Sequence, residues 1–174
     1  MQLEEAWYVF TRFIESGGDV LLVIMAVAFL LWSLILERFV YFATAHRKEV
    51  KRICDAWDQR SDHTSWHAHR IRERLITDVK LAAESSLGLI ATFVALCPLL
   101  GLLGTVTGMI EVFDVMATTG SSNARLMAGG VSRATIPTMA GMVVAISGLY
   151  FSVRLQRRAK IEVQKLSDQL VLSN

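Results

Sequence analysis

Apolar and polar residues are strongly segregated along this chain. Val20 to Leu36 runs without a charge, and after the Glu37-Arg38 pair the apolar character resumes through Phe39 to Ala45. Two longer uncharged stretches follow, Ser85 to Ile110 and Ala134 to Val153. At about 1.5 Å per residue each covers roughly 30 Å of hydrocarbon, and in a bilayer only a helix or a closed barrel satisfies its own backbone. The pattern therefore predicts an all-α integral membrane protein with three spans, at 19–43, 85–116 and 128–153.

The remaining segments are also helix-like. Leu3, Ala6, Trp7, Phe10 and Ile14 recur at helical spacing among Glu4, Glu5 and Arg12, so residues 1–18 read as an amphipathic helix on the outer surface, broken by Gly17-Gly18-Asp19. This acidic leader lacks the basic start of a signal sequence, so the first span is expected to stay in the mature protein. Residues 44–84 are predicted to be cytoplasmic and helical, interrupted around Gln59 to Ser65. No glycine or proline intervenes between His69 and Gly88, so the second span is expected to continue into the cytoplasm as one long helix. Residues 117–127 form a short outer loop. The tail, 154–174, should prolong the third span with Ile161, Leu166 and Leu170 on a packing face.

Composition agrees with this picture and charge gives it a direction. The 174 residues are 53% hydrophobic with a mean hydropathy of +0.42, too apolar for an ordinary soluble domain, and a net charge of +2 offers no nucleic-acid surface. Ten of the 18 Lys and Arg lie between Arg38 and Lys80, and five more follow the third span. The positive-inside rule then places the N-terminus outside and the C-terminus in the cytoplasm. Cys54 and Cys97 fall in different solvents, so no disulfide is expected.

The second and third spans carry small-residue faces. Gly101, Gly104, Thr105 and Gly108 fall within about a third of the helix circumference. Thr138, Gly141, Ala145 and Ser152 share a face of the third span, with Thr135 nearby. Such faces serve close helix packing or a narrow pore lined by hydroxyls, and composition alone leaves both open. Pro98 and Pro137 are expected to kink their helices, with Pro137 freeing a carbonyl near the outer end of the third span.

The run Pro98-Leu-Leu-Gly-Leu-Leu-Gly-Thr-Val-Thr-Gly-Met109 resembles the most recognisable motif of the ExbB/TolQ/MotA proton-channel family, in its ExbB branch. Gly17-Gly18 with the closing Glu37-Arg38 pair, and Gly130-Val-Ser-Arg-Ala-Thr-Ile-Pro-Thr-Met-Ala-Gly-Met142 before Val143-Val-Ala-Ile146, are similar to the same family's first and third spans. The resemblance implies a bacterial inner-membrane motor subunit in a homo-oligomeric ring, a homopentamer in ExbB. That ring surrounds single-span ExbD-like partners bearing a protonatable aspartate, and transmits the proton motive force to a TonB-like protein for uptake such as that of iron siderophores. It matches Thr105 and Thr138 to the two threonines that face the pore. It departs from many ExbB proteins at Arg133, where they carry glutamate five residues before the third-span threonine. Arginine stays charged at accessible pH, so Arg133 is no proton relay and is expected to be an electrostatic gate or an interfacial anchor.

Neither uncharged core contains a carboxylate or histidine, so a proton carrier within the bilayer must come from a partner. The sequence holds no nucleotide-binding loop and no nucleophile with a base, and no enzyme, cofactor or metal is expected. His63, His67 and His69 with Cys54 upstream lack a zinc-protease pattern. Trp57 and Trp66 are expected to anchor packing between cytoplasmic helices or subunits, and Glu111 and Asp114 to be solvated or to gather cations at the outer mouth. Alternatives are a TolQ-like envelope-maintenance motor and a non-conducting scaffold. A MotA-like stator is disfavoured because that branch has four spans.

Overall fold

The computed structural model describes residues 2–59, 65–119 and 124–170, with side chains from residue 18 onward except 47, 119, 124–127 and 132. Five helices follow one another: α1 (Gln2–Ala43), α2 (Ala45–Asp58), α3 (Trp66–Glu84), α4 (Leu87–Thr119) and α5 (Ala124–Gln169). Among the described residues three helical stretches are long and apolar enough to cross a membrane. Helix α4 runs on to Thr119 and α5 starts at Ala124, so both helices extend into the 117–127 segment expected to be a loop. Residues 120–123 lie outside the described part, as does His63.

Backbone conformation explains the breaks. Gly18 interrupts α1 with φ 61°, a left-handed value that glycine adopts without steric cost. Ser65 caps α3, its hydroxyl accepting from the Ala68 N–H at 3.2 Å. The expected single helix from His69 through the second span is corrected: α3 ends at Glu84, Ser85 is extended and Ser86 has φ 62°. Serine bonds locally to nearby backbone and so tolerates a turn that the absence of glycine and proline concealed. The tail does continue the third span, because α5 runs unbroken to Gln169. Both prolines lie inside unbroken helices.

The chain forms two compact units. One comprises residues 1–32 and 92–149. Its core buries Leu21, Ile24 and Leu31 of α1, Val94 and Cys97 of α4, and Ala134, Pro137 and Ala145 of α5.

The other unit comprises residues 33–91 and 150–174. Trp57, Ala68, Val79, Leu166 and Leu170 form a cluster in which α2, α3 and α5 meet. Leu155, Ala159, Leu166 and Leu170 make the buried face of the tail, whereas Ile161, expected on it, is exposed. Trp57 packs as expected. Trp66 is 65% exposed with the Arg70 guanidinium over its ring, because it stands at the start of α3, beyond the cluster.

Two arginines finish helices here. Helix C-termini leave carbonyls without intrahelical donors. Arg72 donates to the Leu170 and Ser167 carbonyls at 2.6 and 2.7 Å, and Arg38 donates to the Ala82 carbonyl at 3.0 Å and the Ser86 hydroxyl at 3.3 Å.

Candidate functional site

The small-residue faces of α4 and α5 meet. A methyl added at Gly101 would stand 2.9 Å from the Thr138 Cα, one at Gly108 2.8 Å from the Ala134 Cα, and one at Gly141 2.5 Å from the Cys97 carbonyl oxygen. At Gly104 it would stand 2.5 Å from the Pro137 Cβ and 3.3 Å from Val20 of α1. These approaches leave no room for a Cβ, which is the physical reason for glycine at all four positions. Pro137 is fully buried against Gly104.

Thr105 and Thr138 are brought to the same turn of α4. The Thr138 hydroxyl crosses the seam and donates to the Gly101 carbonyl at 2.8 Å, while the Thr105 hydroxyl donates to the Leu102 carbonyl at 2.7 Å. Two hydroxyls from two helices are thus anchored on consecutive carbonyls. The Gly104–Pro137 contact lies on the side of the seam where Val20 of α1 packs. Thr105 follows Gly104 by about 100° of helix rotation, and Thr138 follows Pro137, so both hydroxyls lie on the flank away from α1. With their protons committed to the backbone, they offer that flank lone pairs.

The other singled-out residues are elsewhere. Arg133 is exposed on α5 beside Ala134, with no carboxylate within ion-pair distance among the described residues. At about 100° per residue it falls on the α1 side of the seam, opposite the two hydroxyls. Glu111 and Asp114 are exposed toward the C-terminal end of α4, and His67 and His69 are exposed on α3. Cys54 instead joins the packing around Trp57, with its thiol 3.5 Å from Gln169 Oε1.

Sequence reasoning missed His46. It is 2% exposed, both ring nitrogens lack hydrogen-bond partners, and Nε2 lies 3.8 Å from the Glu162 carboxylate. Burial pushes its pKa below the ordinary 6.5, against the opposing pull of Glu162 and Glu49. Its placement eight residues before Cys54 and four before Val50, on the buried face of α2, is the signal that would have found it.

Residues 32–168 match the MotA/TolQ/ExbB proton channel family. The chain belongs to this family. Among its curated relatives, an ExbB-like putative biopolymer transport protein (ExbB-like 3) of Synechocystis is 39% identical over 90 residues, covering 48% of this chain and 43% of the relative. A second Synechocystis protein, ExbB-like 1, is 50% identical over 64 residues, covering 35% and 25%. The biopolymer transport protein exbB1 of Vibrio cholerae is 39% identical over 88 residues, covering 50% and 39%. The chain thus aligns with less than half the length of each. The family match takes in the end of α1 from residue 32, all of α2, α3 and α4, and nearly all of α5.

Proposed function

We propose that this protein is an inner-membrane motor subunit of ExbB type, with its N-terminus outside and its C-terminus in the cytoplasm. Copies of it form a ring around an ExbD-like single-span partner, and the complex couples the proton motive force to a TonB-like protein that energises uptake across the outer membrane. The observation that carries this reading is the convergence of Thr105 and Thr138 on consecutive carbonyls of α4 in a chain of this family.

The chemistry follows from the acceptor character of the two hydroxyls. Neither α4 between Leu87 and Ile110 nor α5 between Ala134 and Val153 holds a titratable carboxylate or histidine, so the partner's aspartate carries the proton. Lone pairs accept from a protonated carboxyl or from a water and give an ionised carboxylate nothing to bond, so this flank favours the neutral, proton-loaded state. A charge moved through the full potential gains about 2.3 kcal/mol per 100 mV, enough to bias the inner helices when repeated.

Replacing Thr105 or Thr138 by Val keeps the shape and deletes the acceptor. In vesicles holding the whole complex, each should lower proton flux by about tenfold or more, the factor equivalent to a lost hydrogen bond of about 1.5 kcal/mol. Thr→Ser at either position should restore it. Unchanged flux in both Val variants, with normal assembly, would refute the assignment.

A further inference from the structure

The unit holding α2 and α3 carries two exposed stripes of opposite charge. On α3, Asp78, Leu81 and Glu84 recur every three residues, all exposed, with Leu81 64% exposed between the two acids. On α5, Tyr150, Arg154 and Arg157 continue one another at helical spacing. Tyr150 is 60% exposed, and Arg154 donates to its hydroxyl at 3.2 Å. At about 1.5 Å per residue the first stripe is about 9 Å long and the second about 10.5 Å, each close to two helical turns. Among the described residues neither acid and neither arginine has an ion-pair partner within the chain.

The stripes stand at one height. Consecutive residues of α1 fix this: Arg38 holds Ala82 and Ser86 at the end of α3, and Phe39 stacks edge-on against Phe151 of α5 at 6.2 Å. From that level α3 runs back through Glu84 to Asp78, while α5 runs forward through Arg154 to Arg157. An acid–leucine–acid stripe and a tyrosine–arginine–arginine stripe of similar length are therefore presented at the same depth on two different helices.

We propose that these stripes meet between copies, with Asp78, Leu81 and Glu84 of one seated on Tyr150, Arg154 and Arg157 of the next. Two different patches of one chain that complement each other make a heterologous contact, which closes into a ring when the rotation allows. The exposed Leu81 and Tyr150 supply apolar contact and the charges set partner and register. This seam rests on the ring reading above and gives it an address.

The test uses the full chain in membranes, with Cys54→Ser and Cys97→Ala as background. Glu84→Cys and Arg154→Cys on one chain should yield a ladder of covalent multimers on oxidation, while the two substitutions on separate, mixed chains should yield dimers only. Independently, Glu84→Arg or Arg154→Glu should each lower the oligomer fraction about tenfold, and the two together should restore it to within about threefold. An oligomer of native mass with no ladder and no recovery in the double variant overturns the seam and leaves the ring standing, with anionic lipid headgroups as the occupant of the arginines. A native chain that stays monomeric in the membrane overturns the ring and the seam together.

Discussion

At the residue scale, glycine in this protein has two meanings that the sequence alone does not separate. Gly104 and Gly141 each stand where an added methyl would come 2.5 Å from another helix, whereas Gly129 faces open space. Overpacking costs about 1–3 kcal/mol, so Gly104→Ala and Gly141→Ala should lower the thermal unfolding temperature in detergent. Gly129→Ala, freed from that clash, should be neutral or raise stability by up to about 1 kcal/mol through helix propensity. Equal effects at all three positions would contradict the seam. The spacing of Gly101, Gly104 and Gly108 made the small face legible, because period 3.6 is written in the residue order. What it met was not legible: nothing in α4 says that Pro137 fills the notch at Gly104, or that Thr138 reaches the Gly101 carbonyl. Those depend on the register between helices, which a single strand of sequence does not encode locally.

At the element scale, apolar runs and breakers located the helices, and the missed joint shows where that reading stops. The Ser85–Ser86 break has no glycine or proline, and its backbone is completed by Arg38, 44 residues away from Ala82. A long-range donor can hold a turn open that local propensity leaves undecided. The packing of α2 against its neighbours also hides a titratable group. His46 faces Tyr41 and Phe42 on its own side of the chain, Glu49 one turn on, and Glu162 and Arg158 from α5. Burial depresses its folded pKa, so below about pH 6.5 the unfolded chain takes up a proton that the folded chain resists. Its share of stability is complete above that pH and is lost as the pH falls toward the folded value. As the pH falls from about 7.5 to about 5.5, the protection of α2 amides, corrected for the slowing of intrinsic exchange, should therefore drop, and His46→Leu should flatten that drop. A pH response identical in the two proteins would show that His46 stays equally solvated in both states.

At the scale of the whole molecule, the nearly balanced charge is an average over two unlike faces, with 15 of the 18 basic residues at or beyond the inner ends of the spans by the positive-inside reading. Three spans are too few to enclose a pore, and the two hydroxyls on the flank away from α1 have nothing in their own chain to load with a proton. This chain by itself should therefore leave vesicles as proton-tight as empty ones. A potential does work only on a charge that moves, and the uncharged cores of α4 and α5 supply none. Flux should appear when the proposed ExbD-like partner is reconstituted alongside, and should vanish again when the membrane-span aspartate proposed for that partner is replaced by asparagine. Conduction by the chain alone would mean that the proton path runs through its own residues. No flux with the full complex under an imposed potential would instead make the protein a scaffold, with the Thr105–Thr138 pair a packing device.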